Sequence, residues 1–301
     1  MMRSLLFVPG DSERKMLKAA DSGADALILD LEDSVALSRK AEARQMVASF
    51  LAEANNSSAP FPKLIVRLNA LDTGLTDDDL SAIVRGAPYA ILLPKAGSGA
   101  DIQNLSARIA VEEAGAELPD GGILIHALMT ETAAGMLQAS TFAAKSARLS
   151  ALAWGAEDLA ADIGASSNKD ENGRYTDVFR MARSLTILAA AHSGVDAIDT
   201  VFTDFRDMDG LGAECRDAVR DGFSGKMAIH PDQVSIINAA FTPAPEDVER
   251  AVRILALFAA AGPDAGVLSL DGKMIDKPHL RQAERVAQRA GLEPQALSRG
   301  D

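Results

Sequence analysis

Eight short apolar runs, each followed by a longer segment of helical periodicity, dominate the first 230 residues of this 301-residue chain. The runs are SLLFV (4–8), ALILDL (26–31), KLIVRL (63–68), YAILLP (89–94), GILIHALM (122–129), RLSALAW (148–154), AIDTVF (197–202) and KMAIH (226–230). Most are apolar throughout rather than alternating, which suits strands covered on both faces. The intervening segments, such as SERKMLKAADSG and SRKAEARQMVASFLAEA, place apolar residues on one helical stripe. Asp11 or Ser12, Ser38 and Thr76 are expected to cap helix starts, and Gly23, Gly115 and Gly194 to end helices. Eight strand–helix units fit a closed (β/α)8 barrel, the TIM-barrel architecture. An open doubly wound sheet is the alternative, but it usually has fewer strands and a glycine fingerprint that PGDSER lacks.

The expected division is a barrel domain over 1–240 and a C-terminal segment over 241–301 that acts as a lid or in oligomerisation. In that segment TPAPEDVERAVRILALFAAAG (242–262) reads as a helix. Asp271-Gly272 is a strong two-residue hairpin signal, and a last helix is expected near 279–290. At about 60 residues the segment is judged too small to need its own core.

The balance of 30 basic against 43 acidic residues, a net charge of −13, argues against nucleic-acid or polybasic membrane partners. A single cysteine, Cys215, excludes a disulfide framework and a CxxC site. The N-terminal apolar run is short and ends at Pro9-Gly10, and no run reaches transmembrane length. A cytoplasmic protein is therefore the expectation.

In a parallel barrel the site gathers at the C-terminal ends of the strands. The charged or polar residues there are Asp30, Glu32 and Asp33; Arg67 and Asn69; Lys95; Glu131; Glu157 and Asp158; Asp204 or Arg206; and His230. Polar loops alone would supply some of these. The whole set favours a site for an anionic substrate. Glu131 and Asp158 lie one strand–helix–strand repeat apart, which places both on neighbouring strands at one height. Two close carboxylates repel unless a proton or cation joins them, and Mg²⁺ suits carboxylate, water and substrate oxygens. First-turn helix acids would be the plainer explanation.

Arg67 reads either as a fork for a carboxylate or enolate oxygen, or as a partner of Asp30 or Glu32 at the barrel mouth. Lys95 reads as an ion-pair partner of the acids in preference to a Schiff-base nucleophile. Trp154 reads as core, Cys215 is given no role, and His230 as a cap or holder of a substrate loop.

Taken in order, RSLLFVPGDSERKMLKAADSGADALILDLEDSV, VRLNALDT, LLPKAGS, ETAAG, WGAEDLAADIG, AIDTVFTDFRD and GKMAIHPDQV resemble the citrate lyase beta-subunit-like proteins. These are relatives of malyl-CoA and citramalyl-CoA lyases within the HpcH/HpaI aldolase/citrate lyase superfamily. The resemblance spans essentially the whole chain. It implies a TIM barrel, a homotrimer or dimer of trimers, and Mg²⁺-dependent carbon–carbon cleavage of a 3-hydroxyacyl-CoA thioester to acetyl-CoA and a 2-oxo acid. Alternatives on the same scaffold are a citryl carrier-protein lyase and a malyl-CoA thioesterase. Carried over by position, Glu131 and Asp158 would ligate the metal. Arg67 would hold the oxo-acid part and the enolate oxygen, and Asp276 would act as a base in a neighbouring subunit's site, its pKa tuned upward by burial. Phe7 and Lys18 would help hold CoA, with Glu131 and His230 also at the substrate. Family members often carry a basic residue just after Pro-Gly, where this chain has Ser12.

Overall fold

The computed structural model describes residues 2–58, 60–143, 146–262 and 264–293. Eight parallel strands close in sequential order into one barrel. They are β1 (Ser4–Pro9), β2 (Ala26–Asp30), β3 (Lys63–Arg67), β4 (Ala90–Leu93), β5 (Leu124–Leu128), β6 (Leu149–Ala153), β7 (Asp196–Asp199) and β8 (Gly225–Ala228). Every apolar run forms the strand expected of it. The helices are α1 (Glu13–Ala20), α2 (Lys40–Asn56), α3 (Thr76–Ile83), α4 (Gly99–Gly115), α5 (Ala133–Leu137), α6 (Ala156–Ile163), α7 (Asp177–Ser193), α8 (Met208–Asp221) and α9 (Pro231–Phe241). The alternation is that of a (β/α)8 TIM barrel.

Each strand buries both faces, which explains the unbroken apolar runs. In β2, Ala26 and Ile28 point into the barrel, while every residue of the strand is buried. The interior mixes small and large side chains: Ala26, Ala90, Ala151 and Ala153 sit among Ile28, Ile65, Leu92 and Met227. That mixture fills a tapering space, leaving a small cavity of about 10 Å³ beside His126. The same inward alternation reaches polar residues at the strand ends. Asp30 closes β2 and Arg67 closes β3, and the two are register partners.

Local capping differs from expectation in places. Ser12 is the N-cap of α1, with an extended backbone. Ser38 instead lies in a 3₁₀ turn, Leu37–Arg39, that precedes α2. Thr76 is the first helical residue of α3, and its hydroxyl donates to the Asn69 and Ala70 carbonyls. Gly194 ends α7 in the left-handed region, as anticipated. Trp154 is fully buried and carries a polar tether, its indole N–H donating to Asp199 Oδ1 at 2.7 Å. Fully buried Lys226 then bridges Asp199 and Glu214. Cys215 is buried, and burial pushes its thiol up to about 12.

The chain divides into two compact units, Met2–Asn238 and Ala239 onward. The second unit contains α10 (Pro245–Ala261), a hairpin of β9 (Val267–Leu270) and β10 (Lys273–Asp276), and α11 (Lys277–Arg289). Asp271 and Gly272 both have positive φ, +53° and +74°, as the two-residue hairpin turn demands. The segment, judged too small to need its own core, nonetheless has one. Ile254, Leu255, Phe258, Ile275, Ala283 and Ala287 form one of their own, because α11 lays its small residues against the apolar stripe of α10. The last eight residues of the 241–301 segment, and residue 263, lie outside the described residues.

Candidate active site

The carboxyl ends of β2 to β6 deliver a charge cluster built around Arg67 and Lys95. Arg67 Nε and Nη2 donate to Asp30 Oδ1 and Oδ2, each at 2.7 Å. Its Nη1 lies 2.8 Å from Glu32 Oε2, yet that oxygen has no aligned hydrogen-bond donor. The contact is one of charge rather than a directed hydrogen bond. The guanidinium also sits over the Phe7 ring, 4.8 Å from its centroid. Burial alone would raise the Asp30 carboxyl and lower the Arg67 guanidinium. The ion pair reverses both directions, so Asp30 is held below the ordinary carboxylate range and Arg67 stays charged.

Lys95 is the hinge of the cluster. It follows Pro94 and has a left-handed backbone, φ +51°, uncommon for a residue with a side chain. That turn aims its amide at Glu131, donating to Oε2 at 2.7 Å. Its ammonium hydrogen-bonds Glu32 Oε1, lies 3.1 Å from Asp158 Oδ1 and 3.6 Å from Asp33 Oδ2. The ammonium is held protonated, since these carboxylates outweigh its desolvation. A protonated amine is no nucleophile, and the ion-pair reading of Lys95 is the one its surroundings support.

Glu131 follows β5 and is 3% exposed. Gly155, the residue before α6, makes room for it: a Cβ there would come within 2.7 Å of Glu131 Cγ and 2.8 Å of Oε1. Burial first, and the Asp158 charge second, push the Glu131 carboxyl up to about 8. Burial also raises Glu32, against the pull of Arg67 and Lys95. Asp158 lies in the first turn of α6 and remains partly exposed. It is thus a helix-dipole acid as well as a neighbour of Glu131. Asp162, one turn further along α6, accepts from the Ala133 amide at 2.7 Å and ties the loop after β5 to that helix.

Glu131, Asp158, Lys95, Asp72, Asp101 and Asp162 share a cleft of about 710 Å³ with Pro94, Ala96, Gly97 and Thr132. Around Arg67, Lys95 and buried Lys40, five carboxylates (Asp30, Glu32, Asp33, Glu131 and Asp158) face three cations. The excess is negative, one Glu32 oxygen is orphaned, and one buried acid is pushed toward protonation. A hard divalent cation between Glu131 and Asp158 would relieve that excess. Among the described residues no three His, Cys, Asp or Glu side chains form a metal cage. Two carboxylates completed by water and substrate oxygens are the arrangement Mg²⁺ favours.

The other expected site residues are dispersed. Phe7 lies under Arg67 in the barrel. Lys18 is exposed in the last turn of α1, a helix that runs back from the rim. His230 is away from the cleft lining and stacks on Phe205, ring centroids 5.3 Å apart. Asp276 belongs to the second unit and caps α11, hydrogen-bonded to His279. That partner holds its carboxyl below the ordinary range, opposite to the upward tuning expected of a buried base. Asn69 is taken by Asp79, and Glu157 by Asn168. The sequence placed Glu32 on the rim as a partner for Arg67, which it is, but not as the acid that holds Lys95, and it gave no role to Gly155 or Asp162. Only the spacing EDLAAD, with Asp158 and Asp162 one helical turn apart, hinted at the last.

Comparison with known proteins gives a consistent set of relatives. The model of the HpcH/HpaI aldolase/citrate lyase family matches residues 3–231. A (3S)-malyl-CoA thioesterase from Cereibacter sphaeroides is 36% identical over 289 residues, covering 96% of this chain and 94% of the relative. The mitochondrial citramalyl-CoA lyase of Rattus norvegicus is 34% identical over 295 residues, covering 94% of this chain and 84% of the relative. Among solved structures, CitE from Mycobacterium tuberculosis in complex with magnesium, acetoacetate and coenzyme A superposes with a TM-score of 0.75 at 35% identity. It covers 96% of this chain and 98% of its own.

Proposed function

The chain belongs to the HpcH/HpaI aldolase/citrate lyase family and is a carbon–carbon lyase; from that premise we propose that it cleaves a 3-hydroxyacyl-CoA thioester of the malyl-CoA or citramalyl-CoA type to acetyl-CoA and a 2-oxo acid, with Mg²⁺. The observation that carries this reading is the pairing of buried Glu131 with Asp158 on one cleft, within a cluster short of positive charge. The magnesium bound by the related CitE supports placing the ion on these two carboxylates. Bound there, Mg²⁺ would act as a Lewis acid on the substrate's oxygens.

The chain's own residues do the rest. The substrate hydroxyl loses its proton and becomes the carbonyl of the 2-oxo acid. The electrons of the breaking carbon–carbon bond pass into the thioester enolate, which is protonated to acetyl-CoA. Arg67, fixed by Asp30 and set over Phe7, would offset the developing negative charge of the enolate. Asp30 and Glu32 hold that guanidinium in place, so it needs no reorganisation during the reaction.

The proposal includes a homotrimer in the cytoplasm, without nucleic-acid or membrane partners, in which Asp276 of one subunit serves a neighbour's site as a base. No described helix is long and apolar enough to cross a membrane. The hairpin supports an intersubunit role for Asp276. Val267 and Met274 are more than 60% exposed and share one hairpin face with Asp276. Phe7 and Lys18 are proposed contacts for CoA, and His230 for the substrate loop.

The similarity to a malyl-CoA thioesterase supports a second reading, hydrolysis on the same carboxylates. One experiment separates the two. Purified protein is incubated with malyl-, methylmalyl-, citramalyl- and citryl-CoA plus Mg²⁺, and the products are identified. Acetyl-CoA with glyoxylate, pyruvate or oxaloacetate, or propionyl-CoA with glyoxylate from methylmalyl-CoA, supports the lyase. The intact free hydroxy acid and CoA in their place support the thioesterase, and no turnover of any ester refutes both.

A further inference from the structure

Lys95 touches both proposed metal ligands: its amide holds Glu131 and its ammonium holds Asp158. The two contacts behave differently when a metal arrives. The amide sits on Glu131 Oε2, and Oε1 is in no hydrogen bond, so Glu131 can ligate without giving up Lys95. The ammonium occupies Asp158 Oδ1 itself, at 3.1 Å. A magnesium ion bonded at about 2.0–2.1 Å to either Asp158 oxygen sets a second full positive charge close to the ammonium, and the two repel. The ammonium has somewhere to go, because Glu32 and Asp33 already hold it from the other side.

We propose that Lys95 is a resident counter-cation of the cleft, holding Asp158 in the metal-free protein and withdrawing to Glu32 and Asp33 when the divalent ion binds. This rests on the assignment of Glu131 and Asp158 as the metal site. Lys95 is a positioning residue in this role. Its left-handed backbone, set behind Pro94 and fixed by the Glu131 hydrogen bond, keeps the amide in place while the side chain moves. Without its ammonium the acids would repel in the empty cleft, and the metal would meet no competitor at Asp158. Removing the charge should therefore weaken the metal-free fold and tighten metal binding together. A purely structural salt bridge would do only the first.

The test is titration calorimetry with MgCl₂ on the wild-type protein and Lys95→Met, paired with thermal melts with and without Mg²⁺. The expected result is up to about fivefold tighter Mg²⁺ binding by Lys95→Met, the scale of one displaced ion pair. Its melting temperature should fall below wild type without metal and recover at saturating Mg²⁺. Equal or weaker binding by Lys95→Met, with normal binding by wild type, overturns this inference alone. No Mg²⁺ binding by wild type overturns the metal assignment and this inference with it. Crystal structures of the wild-type protein with and without Mg²⁺ decide the matter even if the variant fails to fold. Lys95 Nζ still 3.1 Å from Asp158 beside a bound ion would refute the proposal, and its withdrawal would support it.

Discussion

Arg67 meets Asp30 fork to fork, two N–H groups on two carboxylate oxygens at 2.7 Å, across neighbouring strands at the mouth of the barrel. The pair is almost fully buried. Only a planar guanidinium matches both oxygens at once. Arg67→Lys should thus keep the charge but lose the register, cutting turnover by at least about a hundredfold. Asp30→Ala leaves a buried guanidinium to Glu32 alone and should cost about 3–5 kcal/mol in denaturant unfolding. Turnover of Arg67→Lys near wild type would show that the fork serves the fold and not the reaction.

Glu131→Gln and Asp158→Asn preserve shape and remove one charge each. Both should abolish calorimetric Mg²⁺ binding and nearly all turnover. Glu131→Gln should also melt higher than wild type in metal-free buffer near pH 7, because the unfolded chain leaves this carboxylate ionised whereas burial and the Asp158 charge force it to take up a proton on folding. Metal-dependent turnover persisting in either variant would remove that residue from the site.

Gly155→Ala tests the space beside Glu131. Its backbone is extended, φ −124°, so alanine brings no backbone strain. The new methyl would displace the Glu131 side chain rather than unfold the strand end. Mg²⁺ affinity should fall by about 10–100-fold, with little change in melting temperature. A large stability loss with intact affinity would contradict this account.

Asp276→Asn separates two roles that Asp276→Ala confounds. Asparagine is a good N-cap, so α11 should persist. If the carboxylate is the base proposed for a neighbouring subunit, both variants lose rate while Mg²⁺ affinity stays intact. Mixed oligomers of Asp276→Ala with Arg67→Ala chains should then recover activity. Full activity in Asp276→Asn would leave the residue only its cap.

His126 gives the protein an acid limit. It points into the barrel interior beside Tyr89, its Nε2 has no partner, and burial pushes its pKa down to about 4. The folded protein keeps it neutral, whereas the unfolded chain protonates it below about 6.5. The unfolded state therefore binds more protons between these values, and stability falls as pH drops from about 6.5 to 4. The loss contributed by this group should approach about 3 kcal/mol. Urea unfolding of His126→Leu should lack that component of the pH slope; an unchanged slope would assign it elsewhere.

The sequence by itself determined where the strands lie, because a strand buried on both faces must be apolar along its whole length. All eight runs became strands, and Asp271-Gly272 became the turn its φ angles required. It also showed which charged residues would gather at the barrel rim, Arg67 closing β3 and Glu131 following β5, although Asp158, expected at the end of β6, lies instead in the first turn of α6. Tertiary structure decided whom each of them faces. Lys95 reaches Glu32 from 63 residues away and Glu131 from 36, which no local pattern encodes. Barrel closure brings those strand ends together and excludes water, and exclusion of water raises Glu131 while leaving Asp158 partly solvated. Lys18, His230 and Asp276 carried plausible chemistry in the sequence, yet the first lies far down α1, the second stacks on Phe205 and the third caps a helix. A side chain's chemistry is local, but its electrostatic surroundings are set by whatever the fold packs against it.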